Sequence, residues 1–405
     1  MTMVSVDEAW AKIQAMARPL SIRRRRLEEA VGCVLAEHVR APIDLPPFDN
    51  SAMDGYALRA PDTQPACAEQ PVKLTIAGEV AAGGWQETPV VPGTAVKIMT
   101  GAAVPSGADA VLMLEDGRLR NGCVEIRSPV SSGQHIRRQG EDVRRGDVLL
   151  EPGRRLNAQR LGLLANSGIV EVPVFRRVQV GLLATGSELT PPGTSLAPGR
   201  IYDSNRIVLQ TLLLNPGGRC EDLGIVADDP NAIAERIRRG LSADVLLISG
   251  GVSVGAHDHV KRVLSELGMT TVFWRVAMKP GKPLLCGRLG DHWVFGLPGN
   301  PISCVVGFLV FIEPLIRRLE GEHDAQPRSA RALLKKGVSK KDARRHFLTA
   351  HVAPAADGRL EAAPTEKQGS AMMQALAQAN AFVVIPEDRQ QIPAGEEVDV
   401  LRFSD

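Results

Sequence analysis

A segment rich in glycine and serine, SGGVSVGAHD at residues 249–258, follows the apolar run 245–248. Glycines allow the backbone N–H groups of a loop to turn toward an anion, and the N-terminus of a following helix adds positive potential. The segment therefore predicts a phosphate-binding loop, with the carboxylate of Asp258 at the start of the next helix. On composition alone, an ordinary helix N-cap is the simpler interpretation of Asp258.

Polar residues also follow two other apolar runs. TGSE at 185–188 follows the run 178–184, and KPGK at 279–282 follows the run 272–276. In open parallel sheets, ligands bind beyond the carboxyl ends of the strands, so the three loops predict one site. Lys279 and Lys282 could converge on one anion as point charges, although an exposed turn with solvated lysines is the alternative.

Familiar nucleotide-binding and nucleophile motifs are missing from the sequence. Pro283 follows Lys282, and no glycine stands five places before Gly281, so the lysine loop is not a Walker A motif. No GxGxxG follows a predicted strand, and the six cysteines include no CxxC pair. His257 and His259 flank Asp258 at a spacing that points them apart on a helix, which favours surface residues over metal ligands.

Further polar loops lie elsewhere in the chain. GLPGNP at 296–301 precedes an apolar helix, for which Asn300 suits the cap and Pro301 the first turn. LPPFDNSAMDGYALR at 45–59 places four polar side chains within six residues. A ligand loop and an elaborate turn are both open for this stretch, and equally for 98–101 and 136–142.

The periodicity of the chain predicts how these loops are positioned. Ser5 and Glu8 form a capping box before an amphipathic helix, and short β-like runs fill residues 45–142. Residues 175–320 alternate strands with helices, which predicts a mostly parallel sheet covered on both faces. The tail from about 326 reads as short strands, which predicts a small barrel or sandwich.

Composition describes an ordinary globular protein of two to four domains. The 405 residues are 44% hydrophobic and 23% charged with a net charge of +2, which argues against nucleic-acid or acidic-lipid partners. The N-terminus lacks the apolar core of a signal peptide and no apolar run approaches the ~18 residues of a membrane span, so we expect a cytoplasmic protein. The four arginines Arg23 to Arg26 predict a solvated face rather than a nucleic-acid patch.

An ordered set of motifs carries a family resemblance. DNSAMDGYA, MTGAAVP, IRRQGED, ATGSEL, IYDSN, DDP, SGGVSVGAHD, MKPGKP and GLPGNP follow one another along nearly the whole chain. Together they resemble the molybdopterin molybdenumtransferase family, called MoeA in bacteria, whose relatives include the gephyrin E domain.

The resemblance implies a multidomain fold. An elongated helical linker domain is expected over 1–44 and 143–174, with the first helix either in it or packed on the α/β domain. A β-rich insert at 45–142, an α/β molybdopterin-binding domain at 175–325 and a C-terminal β-barrel at 326–405 complete the chain. The family also implies a homodimer whose site lies between the insert of one subunit and the α/β and terminal domains of the other.

The implied reaction is molybdenum insertion. Molybdate-derived molybdenum enters the dithiolene of adenylated molybdopterin, with Mg²⁺-dependent release of AMP, to give molybdenum cofactor. Other cofactor-biosynthesis proteins and molybdoenzymes are candidate partners. Molybdate and adenylated molybdopterin are the expected substrates.

Matching motifs carry the family's site onto individual residues. The implied catalytic residues are Asp54, Thr100, Arg137, Asp142, Glu188, Asp228 and Asp258, of which Glu188, Asp228 and Asp258 are also the implied Mg²⁺ ligands. The implied binding residues are Ser249, Gly250, Gly251, Ser253, Arg275, Lys279, Lys282, Pro298, Asn300, Pro301, Ser303 and Ser370.

The sequence departs from the family pattern at two positions. Arg275 stands where members often have lysine, and Thr349 stands where they tend to have arginine. Arg344 or Arg345 is a candidate replacement for the second charge.

Two alternatives compete with the insertase. A scaffolding member would bind the pterin without turnover and tolerate changes at Glu188 and Asp228. A single-domain pterin adenylyltransferase is disfavoured, because it needs neither the β-rich insert nor the barrel.

Overall fold

The computed structural model describes residues 3–214, 218–252 and 259–403. Ser253 and Asp258, two predicted site residues, lie outside the described residues, as does His257. Across the described ranges, no helix combines the length and the apolarity that crossing a membrane requires.

Helix α1 (Val6–Met16) begins at the predicted capping box. The backbone N–H of Glu8 donates to Ser5 Oγ at 3.1 Å, and the backbone N–H of Ser5 donates to Glu8 Oε2 at 2.8 Å. Val6, Trp10 and Ile13 are buried in the cluster that covers one face of the α/β sheet. The first helix therefore packs on the α/β domain.

Short strands dominate the chain from the end of α1 to residue 175. They are β1 (Ile22–Arg26), β2 (Val39–Arg40), β3 (Asn50–Ser51), β4 (Gly55–Leu58), β5 (Val72–Val80), β6 (Thr94–Ile98), β7 (Ala110–Met113), β8 (Gly117–Arg120), β9 (Cys123–Ile126), β10 (Ile136–Arg137), β11 (Val148–Leu150) and β12 (Glu171–Phe175), with helix α2 (Ala158–Asn166) before the last. A six-stranded sheet has the order β7-β4-β6-β5-β9-β8, and the pairs β1–β12, β2–β11 and β3–β10 are ribbons. The predicted domain boundaries and elongated shape of the linker stay predictions.

Strands and helices then alternate, as the sequence predicts. The elements are β13 (Gln179–Thr185), β14 (Leu189–Thr190), β15 (Ile201–Tyr202), α3 (Asn205–Leu214), β16 (Arg219–Val226), α4 (Pro230–Gly240), β17 (Val245–Ser249), α5 (His259–Glu266), β18 (Thr270–Trp274), β19 (Met278–Lys279), β20 (Leu285–Leu289), β21 (His292–Leu297), α6 (Pro301–Gly307) and α7 (Glu313–Leu319), the last two joined by the π-helical stretch Phe308–Ile312.

The second six-stranded sheet is mostly parallel, in the order β16-β13-β17-β21-β20-β18. Neighbours from β16 to β21 pair in parallel, whereas β20 is antiparallel to both β21 and β18. Five of these described strands therefore run in one direction, and their carboxyl ends meet at one edge. The reversed strand β20 was not among the predicted strands.

Alternating side chains cover this sheet on both faces. In β17, Leu247 joins the cluster beneath α1, α3 and α6, whereas its neighbour Leu246 joins the cluster beneath α4 and α5. Leu182 and Leu183 of β13 divide in the same way. Successive side chains of a strand point to opposite faces, so a continuous apolar run buries both.

The C-terminal region is a closed five-stranded barrel. Its elements are β22 (Ser329–Leu334), β23 (Val338–Ser339), β24 (Arg345–Pro354), β25 (Leu360–Pro364), α8 (Met373–Gln378), β26 (Ala381–Ile385), β27 (Gln391–Ile392) and β28 (Glu397–Arg402). The order β24-β25-β22-β28-β26 closes through a pairing of β24 with β26. Strand β19 adds to β24 in parallel and sets Lys279 opposite His346, which fixes the lysine loop to the barrel.

Candidate active site

A cleft of about 410 Å³ lies at the edge where the parallel strands end. Its described lining comes from the loops after β13, β16, β17 and β21 and from the start of α3. The lining residues are Thr185, Gly186, Glu188, Leu189, Ile201, Asn205, Asp228, Ser249, Gly250, Gly251, Val252, Pro283, Pro298, Gly299 and Asn300. Of the predicted site residues, seven lie together here: Glu188, Asp228, Ser249, Gly250, Gly251, Pro298 and Asn300.

Two loops of the cleft are bonded to each other through Ser187 and Asp228. The Ser187 N–H donates to Asp228 Oδ2 at 2.9 Å, and the Asp228 N–H donates to Ser187 Oγ at 3.0 Å. This reciprocal pair fixes the half-buried Asp228 carboxylate beside the loop that carries Glu188. The neighbouring residue Asp229 caps α4, accepting from the Ala232 N–H at 2.9 Å.

Glu188 lies over a glycine. A Cβ on Gly186 would stand 2.6 Å and 2.8 Å from the two Glu188 carboxylate oxygens, well inside normal contact distance. The exposed Glu188 carboxylate would therefore have to move if residue 186 carried a side chain. The Ile201 N–H donates to Glu188 O at 2.9 Å, which holds the backbone of the acid in place.

The glycines after β17 allow close packing on β13. Gly250 has φ +95° and Gly251 has φ +66°, the left-handed region that favours glycine. A Cβ on Gly250 would lie 2.3 Å from Thr185 O, and one on Gly251 would lie 2.8 Å from Thr185 Oγ1. The Gly250 N–H donates to Leu297 O at 3.0 Å, so this N–H is not a phosphate donor, which corrects part of the anion-loop prediction.

Two buried oxygen atoms of the cleft have no hydrogen-bond partner among the described residues. They are Thr185 Oγ1 and Asn205 Oδ1, in side chains that are 2% and 8% exposed. The Asn205 amide nitrogen donates to Ser249 Oγ at 2.9 Å and Gly299 O at 2.7 Å, which fixes the orientation of the side chain. A buried polar atom without a partner is costly, and a bound ligand would satisfy it.

The GLPGNP loop presents Asn300 to the cleft. Asn300 stands at the N-cap position of α6, but its side chain makes no capping hydrogen bond and is exposed. Asn300 is thus the N-cap residue as predicted, although its side chain makes no capping bond, and Pro301 occupies the first turn, also as predicted. Ser303 is only 3% exposed and does not line the cleft, so its predicted donor role has no open surface here.

Two of the predicted cationic residues lie on the segment of chain that leads into Pro283 of the cleft lining. Lys279 and Lys282 are exposed on the loop whose Pro283 forms part of the lining. Arg275 has φ +69°, and its guanidinium lies 4.2 Å from the ring centroid of Trp274. Ser370 joins the barrel to α6, because the Ile302 N–H donates to Ser370 O at 3.1 Å.

The predicted residues of the β-rich insert form a second group. Asp54 Oδ1 accepts from both the backbone N–H and the hydroxyl of Thr100, each at 2.7 Å. Both hydrogen bonds lower the pKa of the Asp54 carboxyl, and the bond from the Thr100 backbone N–H has the larger effect. Arg137 pairs with Asn50 in the ribbon β3–β10, and Asp142 is anchored through its N–H to Leu45 O at 3.1 Å. None of these four lines the 410 Å³ cleft.

A neutral network occupies the position where family members tend to carry arginine. Thr349 is 1% exposed, and its hydroxyl lies 2.6 Å from Thr365 Oγ1 and 3.1 Å from Gln368 Oε1. Arg345 pairs with Asp7 of α1 and Glu387, and Arg344 pairs with Asp342. Both candidate replacements are thus engaged in ion pairs.

Nucleophilic sulfur chemistry is disfavoured next to the cleft. Cys304 packs behind Ser249, with its thiol 3.7 Å from Ser249 Oγ. Burial raises the pKa of the Cys304 thiol to about 12, so the thiolate is not populated near neutral pH.

The polar atoms that line the cleft are mainly oxygens, which limits the kinds of ligand that it can bind. Two carboxylates, a hydroxyl and an amide oxygen are ligand types that a hard cation such as Mg²⁺ prefers. Within residues 3–214, 218–252 and 259–403, no three histidine, cysteine or carboxylate side chains gather closely enough to hold a metal ion. Glu188 and Asp228 are the two carboxylates that the described residues contribute to the cleft lining.

Sequence reasoning missed two residues of the cleft lining, Thr185 and Asn205, and it missed Ser187, which holds the Asp228 carboxylate in place. Thr185 and Ser187 flank Gly186 in a motif that pointed only to Glu188, and Asn205 is the last residue of the IYDSN motif, from which no site residue was inferred. The sequence feature that could have indicated these residues is their position next to the predicted strands. Their bonding could be found only from the structure, since Asn205 reaches residues 44 and 94 positions away.

Comparisons with known proteins match the chain to the same family along nearly its whole length. Residues 4–168 match the MoeA N-terminal region (domain I and II), 181–318 match a probable molybdopterin binding domain, and 331–403 match the MoeA C-terminal region (domain IV). The chain is 38% identical over 410 residues to molybdopterin molybdenumtransferase of Haemophilus influenzae, covering 99% of both chains. It is 38% identical to molybdopterin molybdenumtransferase 2 of Mycobacterium tuberculosis H37Rv, covering 96% of both. A solved structure of a molybdopterin biosynthesis moeA protein from Pyrococcus horikoshii OT3 is similar with a TM-score of 0.84 at 31% identity, covering 99% of this chain and 100% of that one.

Proposed function

Because the chain belongs to the MoeA family of molybdopterin molybdenumtransferases, transferases of molybdenum cofactor biosynthesis, we propose the following reaction for it. Molybdate-derived molybdenum is inserted into the dithiolene of adenylated molybdopterin, with Mg²⁺-dependent release of AMP. The observation that carries this proposal is the convergence of two carboxylates, Glu188 and Asp228, with two unsatisfied buried oxygens on one cleft at the carboxyl edge of the sheet.

The oxygen-rich lining fits Mg²⁺. Glu188, Asp228 and, from outside the described residues, Asp258 would hold the ion. When bound, Mg²⁺ supplies positive charge that offsets the negative charge on the phosphates as a P–O bond breaks. The reciprocal Ser187–Asp228 bonds keep one carboxylate oriented before any ligand enters.

Cations beside the cleft suit the oxyanion substrate. Lys279 and Lys282 would hold molybdate as point charges, with the hydroxyl of Ser370 nearby as a donor. Donors arranged around an oxyanion replace its water shell and so reduce the cost of desolvation. The pairing of Lys279 with His346 of the barrel would keep one lysine at a fixed place beside the substrate.

The insert residues enter the proposal through a second subunit. Asp54, Thr100, Arg137 and Asp142 do not line the cleft of their own chain. We propose that in a cytoplasmic homodimer they reach the cleft of the partner. The family likeness supports this arrangement, and the pre-formed Asp54–Thr100 pair is consistent with a group that meets a ligand.

Carboxylate variants test the proposal. Glu188→Gln and Asp228→Asn keep the size of each side chain and remove its charge, so we expect AMP release from adenylated molybdopterin to fall by roughly a hundredfold or more. Glu235→Gln is the matched control, because Glu235 is an exposed carboxylate on α4 away from the cleft. Retention of full activity in both cleft variants would overturn the proposed site, and pterin binding without AMP release in the native protein would favour a scaffold instead.

A further inference from the structure

A second and larger cleft, of about 810 Å³, opens at the opposite edge of the mostly parallel sheet. Gln179 and Arg219, the first residues of β13 and β16, line it together with Asp244, which directly precedes β17. Strand β13 has seven residues, and at a rise of about 3.3 Å each the two clefts lie roughly 20 Å apart. This cleft is therefore separate from the candidate active site.

Arginine dominates the lining, and we call this feature the arginine cleft. Its arginines are Arg23, Arg25, Arg176, Arg177 and Arg219, and its carboxylates are Glu29 and Asp244. The lining thus carries a formal charge of +3, more than the net +2 of the whole chain. Like charges in one concavity repel each other and focus a positive potential that attracts anions.

Strand pleating explains which arginines of the 23–26 run reach this cleft. Arg23 and Arg25 alternate along β1 with Arg24 and Arg26, and side chains two apart share a face. Arg24 lies near Glu171 at 3.8 Å and Arg26 near Glu28 at 3.4 Å. Half of the run is therefore a solvated face, as predicted, and the other half lines the cleft.

The two carboxylates are used by two of the arginines. Arg176 donates to both oxygens of Asp244, at 2.7 Å and 2.5 Å, and Arg25 donates to Glu29 at 3.1 Å. Arg23 and Arg219 are exposed side chains of the lining. The cleft therefore keeps positive charge available beyond its internal ion pairs.

The Arg177 guanidinium is held in place by the backbone opposite. It donates to Val31 O, and it crosses Gly32, where a Cβ would lie 2.9 Å from Arg177 Nη2. Gly32 has φ +70°, so a larger residue is disfavoured there on two counts. The Val31 carbonyl thus fixes the position of this side chain in the lining of the cleft.

We propose that the arginine cleft binds the phosphate groups of a small oligophosphate, such as a nucleoside di- or triphosphate. Guanidinium groups match phosphate oxygens bidentately, and the volume falls within the range of small-molecule pockets. Val174, Phe175 and Cys33 supply an apolar wall for the rest of such a ligand. This site lies beyond the proposed insertase function, since no residue of it belongs to the active-site cleft.

Calorimetric titration of the full-length protein with inorganic tripolyphosphate, at constant ionic strength, tests the proposal. We expect R23A/R219A to raise the dissociation constant for tripolyphosphate by roughly tenfold or more, because two charge-assisted contacts are lost. R118A/R120A is the matched control: it removes two exposed arginines from β8 in the insert and should leave the affinity unchanged. K279A/K282A should also bind normally, which separates this site from the active-site cleft.

Other outcomes would overturn the proposal. An equal loss in R118A/R120A would mean diffuse attraction, and a loss confined to K279A/K282A would place the anion in the active-site cleft. Binding of a glutamate-rich peptide that depends on Arg23 and Arg219, without binding of tripolyphosphate, would assign the cleft to an acidic protein segment. AMP release by R23A/R219A should equal that of the native protein, so the two proposals fail separately.

Discussion

Replacing Gly250 with alanine tests the packing that shapes the active-site cleft. The new Cβ would lie 2.3 Å from Thr185 O, about 0.7 Å inside the 3.0 Å limit of real contacts. Thr185 ends β13, and Gly250 directly follows β17, the strand paired with β13. The left-handed backbone at φ +95° adds roughly 1–2 kcal/mol of strain for a residue with a side chain. Weakening of the bond from the Gly250 N–H to Leu297 O adds about 1 kcal/mol.

We therefore expect Gly250→Ala to lower the free energy of unfolding by about 2–3 kcal/mol. Urea unfolding followed by tryptophan fluorescence measures this, since Trp274 and Trp293 lie in the same sheet. A displacement of the loop by a few tenths of an ångström should also reduce AMP release, because catalysis is sensitive to small misplacements.

Gly299→Ala is the matched control within the same cleft. No atom lies within 4 Å of its ideal Cβ, and its φ is not in the left-handed region, so stability should change by less than about 0.5 kcal/mol. Equal stability of both variants would refute the argument that close approach to Thr185 requires a glycine at position 250.

Three further predictions concern the barrel and the thiols. Thr349→Val should lower the free energy of unfolding by about 1–2 kcal/mol in urea unfolding, because Gln368 loses a buried hydroxyl partner, whereas Thr349→Ser should not. Burial lowers the pKa of His346, so as the pH falls the imidazole takes up a proton in the unfolded chain before it does so in the folded protein. The free energy of unfolding should therefore decline below about pH 6.5. His346→Gln should flatten that decline when unfolding is measured as a function of pH. Exposed Cys67 should react with a thiol reagent in the native protein while Cys304 reacts only after unfolding, and mass spectrometry of early native labelling at Cys304 would contradict the assigned burial.

Local signals predicted much of the framework. The Ser5–Glu8 capping box and the apolar runs of β13 and β17 depend on neighbours within a few residues, and the structure has them as predicted. Strand β20 was missed because Leu285–Leu289 contains a glycine and an arginine, which weaken its apolar signal. Its place is set by pairing with β18 and β21, contacts that no local pattern encodes.

The sequence predicted where in the chain several site residues lie, but it did not predict the direction in which their side chains point. The loops of Glu188, Asp228 and Gly250 meet because parallel strands share one carboxyl edge. Asn300 occupies the predicted cap position, but the direction of its side chain, and the burial of the Ser303 hydroxyl that was expected to be a donor, depend on how α6 packs. Ser187 and Asn205 act through partners that folding brings from distant parts of the chain, whereas the Thr185 hydroxyl has no partner among the described residues.

The most direct test of the central claim is AMP release from adenylated molybdopterin by the native protein, measured with Mg²⁺ in the presence and absence of molybdate. The account predicts release that depends on molybdate and matches the amount of molybdenum cofactor formed. Release that ignores molybdate, or tight pterin binding with no release, would contradict the assignment of insertion chemistry to the cleft of Glu188 and Asp228.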